Sequence, residues 1–273
     1  MAAVQRTIQV FQRNAKLHSL TTAVLAVRPF ASLQDADKAL YKAAQEGDEV
    51  VVTEETIFHP QGGGQPSDEG TIKSEDGSSQ FDVKLVRMSA TAEGEVLHFG
   101  RFGGAGAHFK AGDSVTQTID SEKRLLYSRY HTAGHVLGSA VRHCAQDSVP
   151  GFDELNADHA PGMAACNFAG VLEGKWKETF QAKLDEYIEK DMPVEIEWWD
   201  EGDFKSHGLE RLIPDRKALG MTDTEKFRIV TIVGAESYPC GGTHVESTKL
   251  CGKTTVRKIG RSKGTSRVSY ALA

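Results

Sequence analysis

The period of the hydrophobic pattern changes near residue 119, and this change constrains the fold more than any other feature of the 273-residue chain. Before it, short runs alternate apolar and polar residues, as in Phe81–Val86 and Val115–Ile119. Such runs, separated by turns rich in Gly, Ser and Asp, predict a small barrel or sandwich. After it, apolar residues recur at helical spacing. We therefore predict an α+β protein with a small β-barrel domain over residues 1–118 and an α+β domain over residues 119–273.

Two helices and several strands are predicted in the second domain. A first helix, capped by Asp120 or Ser121, carries Leu125, Leu126, Tyr130, Ala133, Val136, Leu137 and Val141 on one face. A second helix carries Trp176, Phe180, Leu184, Tyr187 and Ile188, and Pro193 lies beyond its end. Strands are predicted at Val194–Trp198, Phe227–Val233, Thr254–Ile259 and Arg267–Tyr270.

The first 48 residues allow two interpretations. Before Asp35 the charged residues are all basic (Arg6, Arg13, Lys16 and Arg28), a composition typical of a mitochondrial transit peptide. The alternative is an ordinary opening strand followed by a helix, because Leu17, Leu20, Val24 and Leu25 fall at helical spacing. Residues 35–48 are predicted to be a surface helix or an insertion. We expect a cytoplasmic protein, with mitochondrial import left open.

Composition excludes several classes of protein. No apolar run approaches the ~18–20 residues that a membrane-spanning helix needs, so we expect no membrane association. Four cysteines in 273 residues do not make a disulfide scaffold, which favours a reducing, intracellular setting. A formal net charge of −6 argues against holding nucleic acid by bulk charge. The last 27 residues, however, contain seven lysines and arginines and no acidic side chain.

Two pairs of residues have the spacing of metal ligands. His131 and His135 are four residues apart on the first predicted helix, so both imidazoles lie on one face. Cys240 and His244 flank a short segment that contains two glycines, which suits a tight turn. Three histidines and one cysteine suit tetrahedral Zn²⁺. The first pair lacks the Glu of the H-E-x-x-H motif, which disfavours a zinc protease.

Together these two motifs resemble the editing domain of alanyl-tRNA synthetase, and above all the free-standing editing proteins of that superfamily, called AlaX. Three further stretches agree with this resemblance. They are the glycine-rich segment His59–Gly70, the lead-in Asp120–Leu126, and the basic segment Thr254–Tyr270. Two positions depart from the family pattern: His59 stands where an aromatic residue is expected, and Asn167 where relatives tend to carry a carboxylate.

The resemblance implies a zinc-containing editing domain that hydrolyses, in trans, the ester between a wrong amino acid and tRNA-Ala. Serine is the expected amino acid, with glycine second, because a pocket shaped for alanine cannot strongly exclude either. The expected cofactor is Zn²⁺, the expected partner is the acceptor end of mischarged tRNA-Ala, and a monomer without an obligate protein partner is expected.

The resemblance also suggests roles for individual residues. Expected metal ligands are His131, His135, Cys240 and His244. Gln65, Thr132 and His135 are expected to be catalytic, with Gln65 orienting a water molecule or reading a hydroxyl group. Gly62, Gly63, Gly64 and Thr243 are expected to contact the amino acid, the glycines through bare backbone N–H groups. Arg257, Lys258, Arg261, Lys263 and Arg267 are expected to contact tRNA. His159, in a loop, is a further residue that can approach the site.

Other functions remain open at this point. The same chemistry on Ser-tRNA-Thr is one, since threonyl-tRNA synthetase editing domains share a related set of ligands. A catalytically inactive tRNA-binding relative and a hydrolase of small-molecule esters are two more. The zinc itself is either catalytic, with an exchangeable position, or only structural.

Overall fold

The computed structural model describes residues 6–103, 108–217 and 219–273, which form two compact units. The first unit comprises the chain up to Gly62 together with Pro66–Arg124, and the second comprises Gly63–Gln65 and Leu125–Ala273. The division therefore falls six residues after the boundary expected from the sequence. Three residues of the glycine-rich segment group with the second unit rather than with the barrel that surrounds them in sequence.

A closed six-stranded barrel forms the first unit, and an α+β fold with a barrel is thus confirmed. Its elements are β1 (Ile8–Gln9), β2 (Ser19–Pro29), α1 (Asp35–Lys38), β3 (Glu49–Thr53), β4 (Glu55–Thr56), β5 (Gly70–Ser74), β6 (Gln80–Met88), β7 (Val96–Gly103) and β8 (Ser114–Ile119). The barrel order is β2-β3-β7-β6-β5-β8, with every neighbouring pair antiparallel, and β1 pairs with β4 in parallel.

Alternation of side chains fills the barrel interior, since successive residues of a strand point to opposite faces. Phe81 and Val83 of β6 and Val115 of β8 are buried in one apolar cluster. A bulge between Val83 and Leu85 shifts the register of β6 against β7. Just there, Gly100 lies against the backbone of the neighbouring strand, where no side chain fits.

Two fully buried polar side chains of this unit, Gln117 and His98, find hydrogen-bond partners inside the protein. Gln117 accepts a hydrogen bond from Ile57 N–H at 2.9 Å and donates to Thr53 Oγ1 at 2.9 Å and to Glu55 O at 3.0 Å. His98, fully buried, lies 2.9 Å from Val51 O through Nδ1 and 2.8 Å from Thr56 Oγ1 through Nε2. Burial lowers the pKa of His98 to about 4. The ring is therefore neutral at physiological pH.

A buried ion pair joins the end of the glycine-rich segment to the start of the long helix. Asp68 accepts hydrogen bonds from His59 N–H at 2.6 Å and from Arg124 Nε at 3.0 Å. The Arg124 guanidinium also donates to Ile57 O at 2.6 Å and to Ala15 O at 2.8 Å. Both charged side chains are almost fully shielded from solvent. Each charge is thus compensated inside the protein.

The opening residues differ from the sequence prediction. Leu17–Leu25 do not form a helix, because residues from Ser19 onward belong to β2 and pair with both β3 and β8. Arg28, one of the four early basic residues, makes a double hydrogen bond to Glu95 at 2.7 and 2.9 Å. Residues 35–48 hold only the four-residue α1, followed by turns.

The second unit contains two antiparallel sheets and two long helices. Its elements are α2 (Ser121–Ala145, whose first turn belongs to the first unit), β9 (Asp153–Asp158), β10 (Ala165–Ala169), α3 (Trp176–Glu189), β11 (Val194–Trp199), α4 (Glu201–Ser206), β12 (Phe227–Ile232), β13 (Glu236–Pro239), β14 (Thr254–Ser262) and β15 (Thr265–Leu272). One sheet has the order β14-β15-β10-β9 and the other the order β11-β12-β13. The two predicted helices and the four predicted strands are confirmed, with differences of no more than four residues at their ends.

Helix α2 provides the centre of this unit's core. Ala133, Val136, Leu137, Ala140 and Val141 are completely buried. They pack in one cluster with residues of α3 and of the four-stranded sheet. The two leucines predicted to begin the apolar face, Leu125 and Leu126, are instead 55% and 37% exposed. Within the described ranges, no helix has both the length and the apolar character that crossing a membrane requires.

Candidate metal centre

Four side chains from two distant segments converge in the second unit. Helix α2 supplies His131 and His135, and the turn that follows β13 supplies Cys240 and His244. One ligand atom from each lies within 4.8 Å of every other, so the four could hold one metal ion. His131 is buried while the other three are partly exposed, so the group is reachable from solvent. The predicted convergence of the two pairs is confirmed.

The tight turn brings the thiol to both flanking imidazoles. Cys240 Sγ lies 3.4 Å from His131 Nε2 and 3.3 Å from His244 Nε2. Gly242 N–H donates to the same sulfur at 3.4 Å. A Cβ on Gly242 would overlap the His131 ring, so only glycine fits at this point of the turn.

Gln65 lies behind His131, on the side away from the sulfur. Its Oε1 is 2.7 Å from His131 Nδ1 and accepts from Thr243 N–H at 2.9 Å, while its Nε2 donates to Thr243 Oγ1 at 2.9 Å. An acceptor on Nδ1 keeps the proton there and leaves Nε2 available as a ligand atom. Gln65 is fully buried and acts here as a positioning residue. The sequence interpretation, direct contact with water or substrate, does not describe these contacts.

Thr132 lies beside Nδ1 of His244, as Gln65 lies beside Nδ1 of His131. Its Oγ1 lies 3.2 Å from His244 Nδ1 and accepts from Val245 N–H at 3.1 Å. Thr243 is also fully buried, and its Oγ1 lies 2.7 Å from Ser128 Oγ in addition to its contact with Gln65. Thr132, expected to be catalytic, and Thr243, expected to contact the amino acid, thus both hydrogen-bond to protein groups around the ligands.

His135 differs from the other two histidines because one of its nitrogens has no partner. Among the described residues, the buried side-chain polar atoms that lack a hydrogen bond are His135 Nδ1 and Ser79 Oγ. The ring packs against Tyr238, with 4.7 Å between centroids. Burial lowers the pKa of His135 to about 3, so the ring is neutral, which is the state that binds a metal.

The electrostatic environment of Cys240 is mixed. Burial raises the pKa of its thiol, whereas the Gly242 N–H and the Arg228 guanidinium act in the opposite direction. Arg228 belongs to β12, is itself buried, and donates to Cys240 O at 2.5 Å. The pattern of the sequence gave no reason to single out Arg228 or Tyr238.

His159 enters the site from the loop after β9. Its ring stacks on the His131 ring, with 4.2 Å between the two centroids and an interplanar angle of 24°. Its Nδ1 lies 2.8 Å from Tyr270 Oη. The structure thus brings His159 to the ligands, as the sequence suggested, while the role of Tyr270 was not foreseen.

Asn167 lies on the other side of the sheet from this group. Its neighbour Cys166 faces α2 and contacts Gly134 O, and successive strand residues point to opposite faces. The Asn167 amide donates to Asn156 Oδ1 at 2.7 Å. An acid or base role for position 167 at the ligand cluster therefore has no geometric support.

The glycine-rich turn divides its three glycines between two environments. Gly62 and Gly63 are exposed, and the φ of Gly63 is +55°. Gly64, with a φ of +79°, packs against the backbone of β9 at Ala157, and its carbonyl accepts from His159 N–H at 2.8 Å. Gly64 therefore serves close packing. Contact of Gly62 and Gly63 with an amino acid stays a prediction.

The five basic residues expected to contact tRNA are all exposed on the β14–β15 hairpin. By register, Lys258 and Arg267 share the face of the sheet that points away from α2. Arg267 also donates to Met163 O at 2.8 Å. The bulge in β14 falls at Arg257, Arg261 is near the hairpin end, and Lys263 occupies the turn with a φ of +47°. Contact with tRNA stays a prediction.

Comparison with known proteins gives two family matches and several relatives. Residues 4–123 match the family described as tRNA synthetases class II (A), and residues 227–269 match the threonyl and alanyl tRNA synthetase second additional domain. The chain is 31% identical to the alanyl-tRNA editing protein AlaX-L of Pyrococcus horikoshii, over 87% of this chain and 55% of the relative.

Two other relatives extend this comparison. The alanyl-tRNA editing protein AlaX-M of Methanosarcina barkeri is 28% identical, over 82% of this chain and 89% of the relative. The alanine–tRNA ligase of Methanopyrus kandleri is 29% identical, over 82% of this chain and 23% of the relative. The chain thus spans about half the length of AlaX-L, most of AlaX-M and less than a quarter of the ligase.

Proposed function

We propose that the chain is an alanyl-tRNA editing protein of the AlaX type, that is, an aminoacyl-tRNA deacylase acting in trans on mischarged tRNA-Ala, as its similarity to AlaX-L and AlaX-M supports. The observation that carries this proposal is the group His131, His135, Cys240 and His244, with its partly exposed ligands and its buried orienting residues. The reaction is hydrolysis of an activated ester, which needs a positioned water and stabilisation of developing negative charge.

Serine is the first amino acid that we propose for removal, and glycine the second. Serine exceeds alanine by one hydroxyl group, and glycine lacks one methyl group. A pocket built for alanine discriminates against such differences only modestly, so a second hydrolytic site improves fidelity. Translation fidelity is the purpose that this chemistry serves.

Zn²⁺ is the cofactor that we propose for the four side chains. Tetrahedral Zn²⁺ with Zn–S near 2.3 Å and Zn–N near 2.05 Å separates sulfur from nitrogen by about 3.5 Å. Cys240 Sγ lies 3.3 Å from His244 Nε2 and 3.4 Å from His131 Nε2, which fits that spacing. A buried His135 nitrogen without a hydrogen-bond partner also supports the binding of a cation at this group. When bound, the ion supplies Lewis-acid polarisation or an activated water.

The residues around the ligands hold the imidazoles in the tautomers that such binding needs. Gln65 keeps the His131 proton on Nδ1, and Thr132 lies at the corresponding nitrogen of His244. Their contribution is preorganisation: neither imidazole has to reorient when the ester is bound. The β14–β15 hairpin provides a modest basic surface for the acceptor end, which gives weak and salt-dependent binding.

A panel of charged tRNAs tests this function. Purified protein is incubated with Ser-tRNA-Ala, Gly-tRNA-Ala, Ser-tRNA-Thr and correctly charged Ala-tRNA-Ala, with and without a chelator. We expect rapid loss of serine from tRNA-Ala, slower loss of glycine, retention of alanine, and inhibition by the chelator. A double variant, His131→Ala with Cys240→Ala, is expected to abolish deacylation and metal binding together.

Three other outcomes would overturn parts of the proposal, when tRNA binding is measured as well and free serine esters are added to the panel. Loss of serine from tRNA-Thr alone would transfer the activity to threonyl-tRNA, in line with a family match that covers threonyl as well as alanyl synthetases. Binding of charged tRNA without hydrolysis would indicate an inactive relative. Equal hydrolysis of free serine esters would indicate a small-molecule hydrolase.

A further inference from the structure

His159 is buried beside the metal ligands without being one of them. Its side chain is 3% exposed, and its backbone N–H donates to Gly64 O at 2.8 Å, which anchors the loop. The His159 ring stacks on the His131 ring, and its centroid lies 6.1 Å from the centroid of the His135 ring. A Cβ on Gly134 would overlap this ring, so the glycine of α2 creates the space that His159 occupies.

Two tyrosines fix which nitrogen of His159 carries the proton. Tyr270 Oη donates its only proton to Tyr130 O at 2.9 Å. The same oxygen, 2.8 Å from His159 Nδ1, must then accept the Nδ1 proton. The neutral ring therefore presents Nε2 as an acceptor, held in place through Tyr270.

This acceptor has no protein donor in the described ranges, where Tyr270 is the hydrogen-bond partner of the His159 ring. In the described residues, the side-chain polar atoms that are both fully buried and unpartnered are His135 Nδ1 and Ser79 Oγ. His159 Nε2 is unpartnered but is not one of these buried atoms. It therefore keeps contact with solvent. A Cβ on Gly64 would come within 3.1 Å of the adjacent Cδ2, so the accessible edge of the ring borders the glycine-rich turn.

We propose that His159 Nε2 accepts a hydrogen bond from the aminoacyl group of the substrate, either from its α-ammonium group or from the seryl hydroxyl. This inference rests on the proposed deacylase function and adds a substrate-binding residue to it. A fixed acceptor next to the ligands would hold the ester carbonyl at the reaction centre, because the ammonium nitrogen lies two bonds and the seryl oxygen three bonds from the carbonyl carbon. A site built to hydrogen-bond a substrate group binds an analogue that lacks this group less well.

The variant His159→Phe tests this role, since it keeps a ring on His131 but removes Nε2. We expect kcat/KM for Ser-tRNA-Ala to fall about 10- to 100-fold, as for loss of a hydrogen bond to a polar or charged group. Bound zinc and thermal stability measure any structural effect and should change little. His159→Gln, with an amide oxygen near the position of Nε2, should recover part of the loss.

A matched control comes from a second histidine–tyrosine pair away from the ligands. His143 Nδ1 lies 2.5 Å from Tyr187 Oη, the same kind of contact that His159 makes with Tyr270. His143→Phe should therefore leave kcat/KM unchanged. Comparison of Ser-tRNA-Ala with Gly-tRNA-Ala identifies the donor: a loss for both substrates indicates the α-ammonium group, and a loss for serine alone indicates the hydroxyl.

Binding provides a readout that does not depend on hydrolysis. The probe is adenosine that carries serine through a 3′-amide, measured by calorimetry against adenosine alone. Tighter binding of the amide by the wild type, weakened in His159→Phe, supports the inference even without turnover. Unchanged kcat/KM and unchanged probe binding in His159→Phe overturn the inference alone, as does loss of zinc in that variant. A wild-type protein that neither hydrolyses charged tRNA nor binds the probe overturns both this inference and the proposed function.

Discussion

Replacing Gln65 by leucine should weaken metal binding and stability together. The change removes three hydrogen bonds of 2.7 to 2.9 Å from a fully buried position. It leaves two buried donors without an acceptor, His131 Nδ1–H and Thr243 N–H. At about 1–3 kcal/mol for each unsatisfied group, the free energy of unfolding should fall by about 2–6 kcal/mol. Loss of an outer partner of a ligand costs about 10–100-fold in metal affinity.

The assay combines denaturant unfolding with competition for zinc by a chromophoric chelator. Gln65→Glu is the conservative variant, because a carboxylate still accepts from both donors, and it should retain most of the affinity. Gln117→Leu is the matched control: it removes three comparable hydrogen bonds of 2.9 to 3.0 Å from the barrel. That variant should lose stability and keep its metal affinity. If Gln65→Leu binds zinc as tightly as the wild type, Gln65 does not orient His131.

Three further predictions concern pH, a buried charge and the basic hairpin. The pKa of His98 is about 4 in the fold and about 6.5 when unfolded, so protonation of the unfolded chain should remove about 3 kcal/mol of stability between pH 6.5 and pH 4. Urea titrations should therefore show a flatter pH profile for His98→Gln, and an unchanged profile would contradict the assigned pKa. Asp68→Ala strands the Arg124 guanidinium in the interior and should lower the free energy of unfolding by about 3–5 kcal/mol, against a smaller loss in Asp68→Asn. Lys258→Glu with Arg267→Glu should raise KM for charged tRNA and reduce its salt dependence without changing zinc content; an unaltered salt slope would place the tRNA elsewhere.

The local spacing of apolar residues was sufficient to predict features that lie within a single helix or strand. Helix α2 and the positions of His131 and His135 on it follow from the spacing of apolar residues. The segment Leu17–Leu25 shows where periodicity fails. A bulge between Val24 and Ala26 breaks the alternation of β2, and pairing with two neighbouring strands outweighs the apparent helical spacing.

The surroundings of the ligands depended on contacts between residues far apart in sequence. Gln65 meets His131 and Thr243 across 66 and 178 residues, and His159 meets Tyr270 across 111. The identity of a glutamine or histidine does not reveal which partner its polar atoms will find. Gln65 was thus expected to face the substrate, whereas it hydrogen-bonds to Nδ1 of the metal ligand His131.

The split of the four ligands between α2 and the turn after β13 has a thermodynamic consequence. Neither pair alone offers more than two donors, so tight binding of an ion requires both segments to be folded together. Binding and folding of the second unit are then linked, and free ion at 100 times its dissociation constant adds about 2.7 kcal/mol to stability. The amount of folded protein in a cell would therefore follow the supply of the ion, apart from any effect of the ion on turnover.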